Sequence, residues 1–384
     1  EPGALDDLVG LAGHELAGEV AHERLFVEQP LEVVFGGHRR PGHRRWLFLY
    51  AKAPVPCTIR LLADVATRTS ATGCELARDR ANGSGVRMSE RWAQEFELRA
   101  RAVWTDDAVH RVTEGKDLPI LPSNAPTLLR ALGLLHRDAS MPPPQVRKFL
   151  QLNHMIRMLR PPLLELIERG EPLRLVDAGC GLSYLTLSLA WCFRHVFRHP
   201  ATLVGIDRDE RRVAAGRASA AQLDLDDVLT FQAGAIGAFE PDGKVHAILA
   251  LHACDTATDD AIALGLRHGA ELIAVAPCCQ AELARAWAEL ATSAAGPLQP
   301  LWSTPHLRRE AAAVITDTMR ALLLRAAGYE TRVVEFVPSQ HTPKNTLIRA
   351  MRRGGPDADA KRQYEALRDA TGGADISLAR AMGA

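Results

Sequence analysis

A short apolar run followed by a glycine-rich turn carries the strongest chemical signal in the sequence. The run of residues 173–177 ends in the carboxylate of Asp177, and Gly179 and Gly181 follow just before a predicted helix. Glycines at these positions let the backbone bend tightly against a ligand, and the helix N-terminus faces that ligand. The carboxylate would repel phosphates and attract an ammonium or sulfonium group, and Tyr184 stands where a dinucleotide-binding motif has its third glycine. The turn therefore favours S-adenosylmethionine over a dinucleotide.

The ends of the next two apolar runs supply further groups suited to a nucleoside. Asp207 closes the second run, where a carboxylate can accept hydrogen bonds from both ribose hydroxyls. Helix capping is the alternative role for an aspartate at this place. After the third run, small or apolar residues leave room for an adenine ring beside backbone amides. We therefore expect S-adenosylmethionine as the cofactor, bound by Asp177, Gly179, Gly181, Tyr184, Asp207, Arg208, Gly234, Ala235 and Ile236.

Candidate catalytic residues follow the fourth apolar run. His252 can accept a proton near neutral pH, and Asp255 can orient it or take the proton itself. In the alternative interpretation, Asp255 and Thr256 cap the helix predicted at 257–267 while His252 makes a backbone hydrogen bond. The sequence leaves both interpretations open, and we predict His252 and Asp255 as the catalytic pair.

Two adjacent cysteines, Cys278 and Cys279, follow the fifth apolar run. A thiol at this place can add to a pyrimidine ring, line the acceptor pocket, or simply fill buried space. Because adjacent cysteines chelate one tetrahedral ion poorly, we expect no metal site.

Further polar residues are predicted to contact the methyl acceptor. In the alternative interpretation, these residues have no binding role. The segment 338–345 would then be a proline-stiffened turn with a solvated lysine, and the polar residues near position 150 would form a solvated helix face. The predicted substrate-binding residues outside the N-terminal segment are Lys148, Gln151, Pro277, Cys278, His341 and Lys344.

Seven short apolar runs between residues 173 and 351 alternate with helical stretches, which is typical of a parallel sheet covered by helices. The last two runs are joined by too few residues for a crossover helix, so we expect them to pair antiparallel. This predicts the α/β, Rossmann-like seven-stranded sheet of class I methyltransferases. The apolar spacing in 145–169 predicts a preceding helical segment, which Pro161 and Pro162 should split into two helices.

Five motifs carry a family resemblance. Their sequences are DAGCG at 177–181, LHACDTATDD at 251–260, APCC at 276–279, TDTMRALLL at 316–324, and the segment from Glu335 to HTPKN at 341–345. On these residues, 145–351 resembles the methyltransferase group that includes tRNA acceptor-stem 2′-O-methyltransferases and glutathione-S-transferase-C-terminal-domain-containing proteins. The resemblance implies the class I fold, S-adenosylmethionine and methyl transfer, and less directly an RNA acceptor. The chain departs from the pattern with Ser183 for a third glycine and Asp207 for a glutamate, and neither departure removes a needed group.

The N-terminal part contains a segment that suits a nucleic acid. No acidic residue lies between Glu32 and Asp64, and alternating aromatic residues accompany the basic ones. Arginines beside aromatic side chains can hold phosphates and stack bases, although a soluble hairpin with an aromatic core face has the same composition. The arginines predicted to contact RNA are Arg39, Arg40, Arg44 and Arg45. The leading hypothesis is methylation of tRNA or rRNA, and the rivals are a protein or small-molecule methyltransferase and a catalytically silent cofactor-binding scaffold.

Composition limits the remaining possibilities. The 384 residues carry 46 basic and 46 acidic side chains, so contact with nucleic acid must come from a local patch. The 47% apolar content excludes general disorder, and neither a long apolar run nor a leader is seen, which predicts a cytoplasmic protein without membrane contact. Seven cysteines without paired spacing predict reduced thiols. We expect an α+β module at 1–140, the methyltransferase domain at 141–353, and a C-terminal helix and tail at 354–384, with no obligate protein partner.

Overall fold

A seven-stranded sheet forms the centre of the protein. The computed structural model describes residues 90–251, 253–278, 280–293, 296–335 and 346–383. The strands are β1 Leu173–Ala178, β2 Ala201–Asp207, β3 Leu229–Ala233, β4 Ala247–Ala250, β5 Leu272–Val275, β6 Tyr329–Glu335 and β7 Thr346–Arg352. They lie in the order β3-β2-β1-β4-β5-β7-β6. The first five are parallel, and β7 pairs antiparallel with both β5 and β6, which confirms the predicted class I methyltransferase sheet.

Helices cover both faces of this sheet. They are α1 Glu90–Val103, α2 Asp106–Thr113, α3 Pro126–Ala131, α4 Pro143–Ile167, α5 Tyr184–Cys192, α6 Glu210–Gln222, α7 Thr256–Arg267, α8 Glu282–Ser293, α9 Gln299–Ser303, α10 Pro305–Ala326, α11 Ala358–Ala370 and α12 Ser377–Met382. None of these helices is both long enough and apolar enough to span a bilayer, within the ranges that the structure describes.

Alternating side chains of the strands build two separate cores. On β1, Leu175 enters a core that it shares with α1, α3, α4 and α5, whereas its neighbour Val176 enters the core formed with α7, α8 and α10. This alternation follows from the period of two in a strand, and it places apolar side chains on both faces of the sheet. The sheet is therefore buried between two helical layers, and the ends of its strands are the parts left to bind ligands.

Helix α4 is continuous, so the predicted break at Pro161 and Pro162 is wrong. A proline at position 162 cannot donate a hydrogen bond to the carbonyl oxygen of Met158, four residues earlier. Arg349 of β7 donates to that oxygen instead, with a distance of 2.7 Å from Nη1. A distant side chain thus replaces the missing backbone donor, and the helix passes through both prolines.

The same contact fixes the direction of α4 along the sheet. Arg349 reaches Met158, and Arg353, just beyond β7, reaches Glu165 further along the helix. Helix α4 therefore runs in the direction of β7 and opposite to β1–β5. Its N-terminal half points towards the edge at which β1–β5 end.

The described N-terminal and C-terminal segments both pack on the sheet domain. Phe96 of α1 and Leu128 of α3 are buried in the same core as Phe149 of α4. A domain boundary near residue 140 would cut this shared core, and the division into domains stays a prediction. At the other end, Ile376 and Leu378 are buried at the start of α12, so this part of the predicted tail is folded onto the sheet domain. The basic and aromatic segment between Glu32 and Asp64 lies outside the described residues.

Candidate functional site

The glycine turn after β1 is held between the ends of two neighbouring strands. Gly179 and Gly181 have φ values of +77° and +56°, a backbone region that glycine adopts without a steric penalty. The backbone N–H groups of Gly179 and Cys180 both donate to the carbonyl oxygen of Ile206 on β2, at 2.8 and 2.9 Å. A Cβ atom on Gly179 would lie 3.4 Å from Cβ of Ala253, which follows β4. The turn therefore sits closely against both strand ends.

Asp177 places a buried carboxylate directly below this turn. Its side chain is 5% exposed, and Thr186 of α5 donates a hydrogen bond of 2.6 Å from Oγ1 to Oδ2. Burial raises the pKa of Asp177 to about 6, although the Thr186 hydrogen bond opposes this rise, and the negative charge of Asp207 adds to it. Among the described residues, no basic side chain forms an ion pair with Asp177. The site therefore offers an uncompensated negative charge to a cationic ligand.

Asp207 links the end of β2 to the glycine turn. Its Oδ2 accepts a hydrogen bond from the backbone N–H of Gly181, and its Oδ1 accepts one from Asp209, both at 2.9 Å. Arg212 is 3.8 Å away, and Arg208 is exposed beside it. A carboxylate offers about four acceptor positions, so two stay available for ribose hydroxyls.

The segment after β3 completes this half of the site. The N–H of Gly234 donates to the carbonyl oxygen of Asp207 at 3.0 Å, which brings the end of β3 to the end of β2. Ala235 is half-buried and Ile236 is buried in the core, whereas Tyr184 is half-buried at the start of α5. The structure thus brings all the residues predicted to bind the cofactor to the ends of β1, β2 and β3.

Sequence reasoning missed two polar residues at this edge. Thr186 holds Asp177, and Asp260 of α7 lies beside the turn at 236–238, with Cγ 3.7 Å from the position of a Cβ atom on Gly237. Thr186 lies outside the five motifs, and Asp260 is the last residue of the second motif but has no spacing that assigns it a role. Only the fold brings them to the site.

Asp255 contacts a different helix from the one that the capping alternative names. No side-chain cap is present at the start of α7. Instead, Oδ1 of Asp255 accepts hydrogen bonds from the backbone N–H groups of Ala281 and Glu282, at 2.8 and 3.1 Å, and Oδ2 accepts one from Arg285 at 2.9 Å. Although burial alone would raise the pKa of Asp255, these donors hold it below its ordinary value. A carboxylate with three donors is a weak proton acceptor, so the geometry favours a positioning role.

A buried guanidinium group supports the backbone at Asp255. Arg320 of α10 is 1% exposed and donates from Nη2 to the carbonyl oxygen of Asp255 at 3.0 Å. It also binds both carboxylate oxygens of Asp259, at 3.0 and 2.6 Å, and Oδ1 of Asp317 at 3.1 Å. Gln280, after β5, donates to Asp317 at 2.8 Å. One buried network therefore links the segments that follow β4 and β5.

The same two segments bring a pair of thiols together. Sγ of Cys254 lies 2.6 Å from Sγ of Cys278, and both side chains are exposed. Pro277 precedes the second thiol and is buried. No group of three or more histidine, cysteine or acidic side chains in the described part of the chain is arranged to hold a metal ion.

The remaining predicted site residues fall into two groups. Lys148 and Gln151 are exposed on the N-terminal half of α4, the half that points towards the strand ends. The others lie outside the described residues, so their roles stay predictions; they are His252, His341, Lys344, Arg39, Arg40, Arg44 and Arg45.

One family model matches a part of the chain. Residues 147–286 match the family model described as a methyltransferase domain, and no curated protein matches the chain. A methyltransferase of Podospora anserina, PaMTH1, solved with S-adenosylhomocysteine, is 12% identical over 70% of this chain and 98% of its own, with a TM-score of 0.37. Magnesium protoporphyrin IX methyltransferase of Synechocystis, solved with S-adenosylmethionine, is 16% identical over 60% of this chain and 93% of its own, with a TM-score of 0.33. Likenesses this distant say nothing about the acceptor.

Proposed function

We propose that this S-adenosylmethionine-dependent methyltransferase domain of class I fold binds the methyl donor at the ends of β1, β2 and β3. The methyl acceptor would bind at the segments that follow β4 and β5. The observation that carries the proposal is the buried carboxylate of Asp177 beside the glycine turn, with its pKa raised to about 6. Burying a negative charge without a partner is costly, and a cation of the ligand would offset that cost. The residues present therefore fit a cationic nucleoside.

Each residue of the donor side has a definite task in this proposal. S-adenosylmethionine, when bound, supplies a methyl group that its sulfonium centre already activates. Asp177 would hold the positive charge of the methionine part, and Asp207 would accept hydrogen bonds from the ribose hydroxyls. Ile236 would provide an apolar wall for adenine, and Asp260, which lies beside the turn at 236–238, would accept a hydrogen bond from the adenine amino group.

On the acceptor side, the chain orients groups rather than supplying a strong base. Asp255 fixes the segment after β4 against the start of α8, and Arg320 donates a hydrogen bond to the backbone carbonyl oxygen of that segment at Asp255. On the sequence alone, His252 stands three residues before Asp255, and we propose that its imidazole takes the proton released on methylation. Because alignment of donor and acceptor supplies most of the rate in such a transfer, rigid support of this segment matters for activity.

We propose RNA as the acceptor class, and one feature of the described residues supports it. Helix α4 exposes Arg147, Lys148, Arg157 and Arg160, and no acidic residue precedes Glu165 on the helix. Lys148 lies ten residues before Met158, roughly 15 Å along the helix axis, whereas β7 begins roughly 10 Å from Arg349. The basic start of α4 therefore reaches the edge at which the methyl donor would bind.

The experiment is transfer of a radiolabelled methyl group from S-adenosylmethionine into fractionated total RNA. Label in RNA that ribonuclease releases is the expected result. Label in protein that survives ribonuclease would reject RNA as the acceptor and select a protein methyltransferase, and label in the small-molecule fraction would select a metabolite. Binding of S-adenosylmethionine without transfer into any fraction would reject the catalytic proposal and leave a cofactor-binding scaffold.

A pair of charge reversals tests the role of α4. Each of the single substitutions Arg147→Glu and Lys148→Glu replaces an exposed cation with an anion. Each should weaken RNA binding at least tenfold and reduce the dependence of that binding on salt concentration. The matched control is Lys361→Glu, an equal charge change on the exposed face of α11, which should leave RNA binding unchanged. Equal effects of the three substitutions would show that only net charge matters and would remove α4 from the RNA interface.

A further inference from the structure

Two cysteine side chains from neighbouring strand ends lie unusually close together. Cys254 follows β4, Cys278 follows β5, and their Sγ atoms are 2.6 Å apart. This distance is only about half an ångström longer than the covalent bond of a disulfide. Because β4 and β5 are adjacent parallel strands, their ends bring the two thiols together although 24 residues separate them along the chain.

The pair differs from the other described cysteines in its access to solvent. Cys254 and Cys278 are exposed, whereas Cys180 and Cys192 are buried. Burial raises the pKa of Cys180 and of Cys192 to about 12, so these two thiols stay protonated and unreactive near neutral pH. Among the described residues there are therefore one exposed thiol pair and two buried thiols, and the buried ones serve as internal references.

We propose that Cys254 and Cys278 are a redox-modification site that closes to an intramolecular disulfide with a peroxide oxidant and reopens with a dithiol reductant. One thiolate attacks a peroxide oxygen, the O–O bond breaks, and a sulfenic acid and one water form. The second sulfur then attacks the sulfenic sulfur, the S–S bond forms, and the hydroxyl leaves as a second water. Overall, two thiols and one hydrogen peroxide give one disulfide and two waters.

Peptide mapping of the full-length protein tests the proposal directly. Reduced protein is treated with a few equivalents of hydrogen peroxide, blocked with iodoacetamide and digested with trypsin without a reductant. We expect a cross-linked product of peptides 245–267 and 268–285 that is two hydrogens lighter than their sum and disappears on treatment with dithiothreitol. The folded protein should yield Cys180 and Cys192 unoxidised and accessible to iodoacetamide only after denaturation.

Two substitutions assign the cross-link to one sulfur atom. Peptide 268–285 also contains Cys279, so the cross-link should disappear in Cys278→Ser and persist in the matched control Cys279→Ser. Three results would overturn the proposal: a cross-link that runs through Cys279 instead, full alkylation of Cys254 and Cys278 after peroxide, or a bound metal that must be chelated before either thiol reacts. The mapping needs no methyl transfer, so it stands apart from the proposed function.

Discussion

Arg349 on the sheet donates a hydrogen bond to the carbonyl oxygen of Met158 on α4, and this oxygen is the one that Pro162 leaves without a backbone donor. The relationship explains how a helix of 25 residues contains two consecutive prolines. It also joins α4 to β7 at a fixed point. Together with the contact between Arg353 and Glu165 and the packing of Phe149 in the core, this hydrogen bond sets the position of α4 relative to the strand ends.

Removing this donor should destabilise the protein. We expect Arg349→Met to lower the free energy of unfolding by about 1–3 kcal/mol, because a partly buried carbonyl oxygen loses its partner. In a Pro162→Ala background, the restored backbone N–H can bond to Met158, so the same Arg349→Met change should cost less. The measurement is urea unfolding of the wild type, Arg349→Met, Pro162→Ala and the double variant. Equal costs in both backgrounds would show that Arg349 does not act through this carbonyl.

The left-handed backbone at Ser183 makes a second prediction. Ser183 has a φ of +59° at the start of α5, a conformation that costs a residue with a side chain roughly 1–2 kcal/mol. Ser183→Gly removes that cost, whereas Ser183→Ala keeps it and loses only the hydroxyl. We therefore expect the glycine variant to be about 1 kcal/mol more stable than the alanine variant in urea unfolding. Equal stability of the two variants would rule out strain at this position.

The pKa of Asp177 predicts how cofactor binding depends on pH. Below pH 6 the carboxylate takes up a proton, so its attraction for a cationic ligand is lost. The affinity for S-adenosylmethionine, measured by calorimetry, should fall about tenfold between pH 7 and pH 5. Asp177→Asn should bind weakly at both values and lack this fall. Parallel pH profiles of the wild type and the variant would show that another group titrates.

The raised pKa of Asp177 has the opposite effect on folding stability, which should fall as the pH rises, whereas cofactor affinity should increase. The folded-state pKa of about 6 lies above the ordinary value of 3.8, so the folded protein holds a proton that the unfolded chain has released between these values. Stability contributed by the protonated form is therefore lost as the pH rises through this window. We expect Asp177→Asn to be more stable than the wild type at pH 7.5, by on the order of 2 kcal/mol, with the difference vanishing near pH 4. A constant difference across the window would reject the raised pKa.

The buried network around Arg320 predicts a large and specific loss of stability. Arg320→Met leaves Asp259, which is 2% exposed, without its partner, and should cost about 3–5 kcal/mol. Adding Asp259→Asn removes the unpaired charge, so the double variant should be more stable than the sum of the single losses implies. Arg325→Met is the matched control on the same helix. Its half-exposed ion pair with Asp357 should contribute less than about 1 kcal/mol. Similar losses in Arg320→Met and Arg325→Met would contradict the network.

The sheet could be predicted from the sequence because each strand is a short apolar run that ends at a turn residue. The same signal predicts that Asp177 and Asp207 lie at the ends of neighbouring parallel strands, and the structure shows them there, while their contacts with a cofactor stay a prediction. The break in α4 was predicted wrongly because the effect of a proline was judged from its neighbours in the sequence. Arg349, which supplies the missing hydrogen bond, is 187 residues beyond Pro162. Likewise, the partners of Asp255 lie 26 and more residues away, just before and within α8, and no local spacing reveals them. Contacts between distant segments are thus what the sequence patterns omit.

Glu282 connects helix α12 to the segment that follows β4. Its backbone N–H donates to Asp255, while its carboxylate accepts hydrogen bonds from the backbone N–H and hydroxyl of Ser377 and also contacts Arg380. Ser377 and Arg380 therefore hold the first turn of α8, which in turn binds Asp255 after β4. A protein shortened to end before Ser377 would keep all seven strands and yet lose these hydrogen bonds together with the buried side chains of Leu378 and Ala379, so a change far from the strand ends can reach the site without removing any residue that meets a ligand.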